Sequence, residues 1–495
     1  MHPHRSALSA CLAVASALAV AGCLPDGGAD AADDGRISIA MMQPPRSSLS
    51  PLSDDAFKLS RWSTAETLVT LDEDGDPLPG LATEWSSADD TTWTFTVRDG
   101  VTFHDGTELT AAVAAHSLEY AARATPAPRI LDGLALEIDA EGDTLTVTAE
   151  REDPLLPQRL SSPQLSILAE SAYSGDTVSP VGTGSGPFEL VEVDGTTSAR
   201  LDRYDGYWGE PALAAGIDVT FVPDGTARAA ALRTGEADIV ESVPTSQASL
   251  LDPDTLTEVP MPRTNTLYLN TEEGPFTDPA LRAAVRAAID PRALVDGVYE
   301  GRADVAEGLL GPALPWSAER PERDEPTPTG DPDGTAITLA TFTDRAELPE
   351  VATVLEQQLE DAGFEVRQVV REYADIEEDA LAGEFDAFVL SRATVLDSGD
   401  PAAYMTSDFS CEGSFNIARL CDEDVDAALS EAEKAPVGDE RRAAILAAEA
   451  AILDTDAAIP MLHERVIQGD ATHVADSAKD PRERLLVTPL THLTP

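Results

Sequence analysis

Between residues 336 and 390 the apolar pattern changes period four times, and this alternation restricts the fold more than any other stretch of the chain. Residues 336–342 form an apolar run of strand length. Residues 349–362 then place Val351, Val354, Leu355 and Leu359 on one helical face, and Gly363 ends the helix. Residues 364–370 return to a strand pattern, 376–381 make a short helix, and 385–390 are almost continuously apolar. A continuously apolar strand is buried on both faces, so the βαβαβ order predicts a parallel sheet with helices packed on it. The expected fold class is α/β.

The chain has 495 residues. A single core stops growing at about 250–300 residues, so two or more domains are expected. In residues 91–104, Trp93, Phe95 and Val97 alternate with Thr92, Thr94 and Thr96. A turn at Asp99-Gly100 follows, and Val101 and Phe103 resume the pattern, which predicts a hairpin. A second hairpin is expected from Leu134, Leu136 and Ile138 through Glu141-Gly142-Asp143 to Leu145 and Val147. A helix over 110–123, capped by Thr110, lies between them, so residues 61–177 read as a small α+β unit. Asp278-Pro279 starts a helix that buries Leu281, Val285 and Ile289, with Arg282 and Arg286 close to the same face. Two more helices are expected at 424–434 and 439–453.

The first residues read as an address. Arg5 precedes an apolar run over 7–21, the length of a secretory signal and too short to span a bilayer comfortably. The run ends Val20-Ala21-Gly22-Cys23, which resembles the bacterial lipobox and implies cleavage before Cys23 and lipid attachment to its sulfur. Residues 23–36 would then be a lipid-anchored tether carrying a soluble body on the outer face of the cell membrane. Beyond Cys11 and Cys23 the sequence holds Cys411 and Cys421, ten residues apart. In an exported chain they are two buried thiols or a disulfide closing a small loop; the disulfide, in a structural role, is expected.

Against 33 Lys+Arg stand 90 Asp+Glu, a formal net charge of −57. Phosphate-rich partners would be repelled, so no nucleic acid is expected. No Gly-x-Ser-x-Gly elbow, P-loop or His-Glu-x-x-His helix occurs. Asp72-Glu-Asp-Gly-Asp76 suggests a calcium loop, but its glycine comes too early and Thr83 stands where a bidentate Glu belongs. The pattern points to binding and not catalysis, with no cofactor and no metal site expected.

Several collinear stretches carry a resemblance: Glu66-Thr-Leu-Val69, Pro79-Gly-Leu-Ala82, Trp93 to Gly106, Gly184-Ser-Gly-Pro-Phe188, Tyr204-Asp-Gly-Tyr-Trp-Gly209, Leu232 to Ile239, Leu267-Tyr-Leu-Asn270 and Ala288-Ile-Asp290. Together they resemble the solute-binding proteins of family 5, which serve bacterial ABC importers for peptides and nickel. The resemblance implies a two-lobed, type II periplasmic-binding-protein-like fold with an additional α+β domain and a hinge between the lobes. Its domains would be a signal peptide at 1–22, lobe I from 37–60, 178–268 and 466–495, the extra domain at 61–177, and lobe II at 269–465. Hinge crossings are expected at 267–271 and 460–468. The implied activity is capture of oligopeptides by hinge closure and delivery to the permease subunits, by a monomer and without catalysis. A nickel chelate bound on the same scaffold, or a sensory lipoprotein not coupled to transport, are the alternatives.

The ligand signal lies in Leu396-Asp-Ser-Gly-Asp-Pro401. By the resemblance Asp397 grips the ligand's α-ammonium, a cation whose three donors compensate a buried carboxylate. Asp400 is expected to cap the helix after Pro401. Peptide binders often carry an aromatic residue shortly before this acid, whereas here the run is Ser391-Arg-Ala-Thr-Val395. Arg392 and Arg371 are the candidates for a ligand carboxylate, and Asn416 should lie on the cleft rim beside Cys411. His463, on a crossing strand, belongs to the pocket or the core. His104 belongs to the hairpin pattern and is expected to be structural.

Overall fold

A computed structural model describes residues 35–131, 133–175, 177–321, 323, 327–395 and 399–495. Among these, eleven strands form one mixed sheet. Ten follow the order Phe188–Asp194, Ser198–Arg203, Gly216–Phe221, Arg36–Met41, Ile239–Val240, Ala458–Asp470, Leu256–Leu269, Ala387–Ala393, Ala336–Phe342 and Glu365–Arg371. The eleventh, Ala303–Val305, pairs with Ala458–Asp470 off this path.

The alternating run of residues 336–390 forms as expected. Ala336–Phe342 pairs in parallel with both Glu365–Arg371 and Ala387–Ala393. The helix Leu348–Asp361 buries Val351, Leu355 and Leu359 against them. At the other end of the sheet Arg36–Met41 lies parallel to Gly216–Phe221 and Ile239–Val240. The helix Gly225–Thr234 joins that pair. Its start is fixed by Asp224, which accepts from the Ala227 amide at 2.7 Å, and Gly235 ends it at φ 74°.

The α+β unit is an antiparallel sheet in the order Ala82–Ser87, Thr92–Val97, Thr144–Ala149, Leu136–Glu141, covered by the helix Ala111–Arg123. Thr110 caps that helix through the Val113 amide. The second expected hairpin is present as Leu136–Glu141 with Thr144–Ala149. The first is not. Both edges of Thr92–Val97 are taken by other strands, and Val97 and Arg98 donate to Asp143 and Leu81. Val101 and Phe103 are instead buried from a loop in which Thr102 bridges Glu108.

Most of the motifs behind the resemblance serve this assembly. The Glu66 carboxylate accepts from Ser185 at 2.7 Å, Trp208 at 3.0 Å and Tyr207 at 3.1 Å, and Arg98 stacks 4.3 Å over the Trp208 ring. Burial raises the Glu66 pKa, and the three donors offset part of that rise. Gly184 and Gly186 are fixed by close approach, since a Cβ at either would stand 2.0 Å from the carbonyl of Thr64 or Ser63. His104 donates Nε2 to the Gly186 carbonyl at 2.9 Å, and burial lowers its pKa to about 4. These side chains stitch the α+β unit to the first half of the large sheet.

Each half of that sheet has its own apolar core, one around Ile37, Phe188, Leu201 and Ile217, the other running from Leu267 to Leu462. Two long strands pass between them. Leu256–Leu269 and Ala458–Asp470 pair antiparallel with each other. The end of Ala458–Asp470 pairs with Ile239–Val240, and Arg263 to Leu269 pair with Ala387–Ala393. The ladder between the two long strands is irregular from Pro260 to Thr264, where Pro260 and Pro262 have no amide hydrogen to give. Residues 267–271, expected at a crossing, instead begin inside the second core, because Leu267 is fully buried and paired on both sides.

Candidate ligand site at the strand crossing

The irregular stretch positions a cluster of charged and amide side chains. Glu464 Oε1 accepts from Asn265 Nδ2 at 2.6 Å and Ser391 Oγ at 2.5 Å, and Oε2 accepts from Arg345 at 3.0 Å. Arg263 donates Nη1 to the Ser391 carbonyl at 3.2 Å, and its Nε lies 4.0 Å from Glu464. That Nε is buried and has no hydrogen-bond partner among the described residues. The rest of the Arg263 side chain keeps 24% of its surface exposed. Burial lowers the Arg263 pKa, and the charge of Arg345 adds to this. Two guanidinium groups therefore share one carboxylate, and Arg263 retains donors that a second carboxylate could satisfy in bidentate fashion.

Arg61, the last residue of the helix Ala56–Arg61, pairs with Glu241 and, at 3.2 Å, with Glu483. Glu241 also accepts from the Met42 amide at 2.8 Å. The Glu483 charge reaches Arg263 electrostatically. The crossing thus presents fixed charges of both signs, the arrangement a zwitterion needs.

The residues expected from sequence fall in different places. Asp397 lies outside the described residues, as does Cys23. Asp400 stands one residue ahead of Pro401, the N-cap of the helix Ala402–Phe409, where it accepts from the Ala402 amide at 2.9 Å and holds Arg441 at 2.5 Å, so the expected cap is not made by its side chain. Arg392 is committed internally, with both arms on Asp408 at 2.7 Å and its plane 4.2 Å over the Phe415 ring. Asp408 is fully buried, and desolvation raises its pKa to about 6 against the pull of Arg392. Arg371 ends the outer strand Glu365–Arg371 and pairs with Asp379 at 2.6 Å, three strands from the crossing. Asn416 is a structural staple: it donates to the carbonyls of Ser410 and Leu420 and accepts from the Leu420 amide. It thereby closes the loop between Cys411 and Cys421, which are joined by a disulfide.

His463 is on the crossing, 3% exposed, and faces inward. Thr264 Oγ1 spends its proton on the Leu309 carbonyl at 2.7 Å, so at 2.9 Å it accepts from His463 Nδ1. Burial, then the charge of Arg320, lower the His463 pKa to about 4. Gly311 leaves the ring its space, because a Cβ there would approach the ring to 2.5 Å. Sequence reasoning missed Arg263, Asn265, Arg345 and Glu464. The available signal was slight: an arginine directly after two strand prolines, and an acid beside His463.

The family described as bacterial extracellular solute-binding proteins, family 5 middle, matches residues 76–416. The glutathione-binding protein GsiB of Escherichia coli K12 is 27% identical over 306 residues, covering 58% of this chain and 60% of that protein. GsiB of Salmonella paratyphi A is 29% identical over 321 residues, covering 61% and 62%. The chain thus matches about three-fifths of the length of these relatives. Among solved structures, a nickel ABC transporter protein of Bacillus halodurans is 26% identical with a TM-score of 0.81, covering 93% of this chain and all of that one (100%). DppA of Helicobacter pylori, in complex with the peptide STSA, is 21% identical with a TM-score of 0.71, covering 93% and 98%. These neighbours are two-lobed α/β proteins of the type II periplasmic-binding class, and this chain has that fold. The family consists of solute-binding proteins of ABC transporters and not of enzymes. From the matched span, this chain belongs to the bacterial extracellular solute-binding proteins of family 5.

Proposed function

We propose that the protein captures short peptides between its lobes and delivers them to the permease subunits of an ABC importer. The observation that carries this reading is Arg263, held beside Glu464 at the strand crossing with its Nε unpartnered among the described residues. A peptide brings a carboxylate for Arg263 and an ammonium for an acid, with Asp397 still the proposed holder of the ammonium. Peptide binders of this kind rely on terminal charges and backbone hydrogen bonds, which tolerates varied side chains. The likeness to glutathione-binding relatives, whose namesake is a small peptide rich in carboxylates, supports the same class. The proposed division into lobes is 37–60, 178–268 and 466–495 against 269–465, with 61–177 as the added domain. The protein is proposed to be an exported monomer anchored to the membrane through lipid on Cys23. Among the described residues no helix is long and apolar enough to cross a membrane.

The test is calorimetry and thermal unfolding with glutathione and a set of two- to four-residue peptides. A ligand at 100 times its Kd should add about 2.7 kcal/mol of stability and raise the melting temperature. Arg263→Ala should weaken free-carboxylate peptides at least tenfold and leave their C-terminal amides unchanged. If no peptide shifts the melting temperature, the reading fails. The second reading, a nickel chelate, is favoured by the 26% identity with the Bacillus halodurans protein. Nickel bound by two histidines, stabilising the protein where peptides do not, would establish it instead.

A further inference from the structure

A cavity of about 690 Å³ lies between the α+β unit and the second half of the molecule, away from the strand crossing. Its volume falls within the roughly 300–1,000 Å³ of small-molecule sites. One wall carries Arg129, Arg151 and Arg159, an unusual gathering of cations in a chain of net charge −57. The opposite wall carries Glu412, Asp426 and Glu433. Arg159 spends Nε on Asp153 at 2.6 Å and Nη1 on the Ile130 carbonyl at 3.2 Å, while Arg151 is exposed. Neither Arg151 nor Arg159 reaches ion-pair distance of the three acids opposite, although each wall would gain from the other.

The two bodies that carry the walls also touch elsewhere. Trp316 donates Nε1 to the Asp74 carbonyl at 3.1 Å, and Arg442 pairs with Asp76, so the α+β unit already rests on the second half. The charged space between the walls is about half open to solvent. It is also separate from the crossing. The helix Ala402–Phe409 turns Tyr404 and Asp408 toward Arg392, and Ala403, Thr406 and Ser407 toward the cavity. Thr406 Oγ1 on the cavity side is buried with no hydrogen-bond partner among the described residues.

We propose that this cavity is a second binding compartment, for a zwitterionic molecule of dipeptide size. Its carboxylates would meet Arg151 and Arg159 of the α+β unit and its ammonium the acids of the opposite wall, bridging the two charged surfaces. The inference does not depend on which ligand the crossing takes.

The test is native mass spectrometry and calorimetry with the dipeptide Gly-Glu as probe, and with acetate and methylammonium as singly charged controls. Wild-type protein should take up two equivalents of Gly-Glu, and Arg263→Ala should retain one. Arg151→Glu and, on the other wall, Glu433→Lys should each weaken that remaining equivalent at least tenfold, and both sites are near enough to solvent for the fold to survive. One equivalent that is lost in Arg151→Glu and kept in Arg263→Ala supports the compartment and counts against peptide capture at the crossing. A single equivalent lost in Arg263→Ala, or a second one indifferent to Arg151→Glu and Glu433→Lys, overturns the proposal. Singly charged controls that bind as tightly as Gly-Glu overturn it too.

Discussion

At the scale of single residues, burial acts on three titrating groups in opposite directions. His104 and His463 have pKa values lowered to about 4, and Asp408 is raised to about 6. A buried neutral histidine binds fewer protons than the unfolded chain between pH 4 and about 6.5, so its contribution is present above that window and is lost as pH falls. Asp408 has the reverse sign: the folded state holds its proton more tightly, so that contribution is full below about pH 3.9 and is lost as pH rises through 6. The two effects oppose each other between pH 4 and 6. Urea unfolding at pH 4.5 and 6.5 separates them. Asp408→Asn should lower stability at both values by about 3–5 kcal/mol, because it leaves Arg392 buried without its partner. It should also steepen the rise in stability from pH 4.5 to 6.5. His463→Gln should flatten that rise. Equal slopes in all three proteins would mean that these groups are not desolvated as described.

At the scale of elements, legibility followed the regularity of the local pattern. The βαβαβ run could be read because its strands are apolar throughout and its helix Leu348–Asp361 keeps one apolar face. The hairpin expected after Thr92–Val97 was a misreading of a real alternation: Val101 and Phe103 are buried, but from a loop. Nothing local says that both edges of a strand are already occupied. Leu256–Leu269 resisted reading because its first part is only half-buried and its last six residues are all buried, so no single period runs through it. The site suffered for the same reason. Arg263 and Glu464 acquire meaning from strand pairing between distant segments, while Arg392 and Asn416, from a suggestive motif, make hydrogen bonds within the fold. The loop from Cys411 to Cys421 is a testable case, since the disulfide and Asn416 fasten it independently. Replacing both cysteines with serine should cost about 2–3 kcal/mol by the loop-closure account. Peptide affinity at the strand crossing should change less than threefold in calorimetry, because Asn416 still sets the loop. A tenfold loss of affinity at the strand crossing would place the loop in that site after all.

At the scale of the whole molecule, the dominant quantity is the excess of 90 acidic over 33 basic side chains. Many of the arginines are already matched, as in the pairs of Arg36 with Asp218, Arg320 with Glu449 and Arg465 with Glu258. With 90 acids and 33 basic side chains, most acids have no cation of their own and repel one another. Two salt effects then compete. Added salt weakens the exposed pairs, which are worth roughly 0–1 kcal/mol each. It also screens repulsion among unmatched acids across the whole surface, and the Debye length falls from about 10 Å at 0.1 M to about 3 Å at 1 M. With a net charge of −57 the second effect reaches many more side chains, so repulsion should control the outcome. The melting temperature should climb steadily between 0.1 and 1 M potassium chloride. Chloride and acetate should act alike near 0.1 M, where screening depends on ionic strength alone, and acetate should add stability toward 1 M through its exclusion from the surface. Both lobes carry the excess, so salt should also ease their approach, and scattering from unliganded protein should shrink in radius over the same range. A melting temperature that falls with salt would show that the ion pairs, and not the unmatched acids, set the stability of this fold.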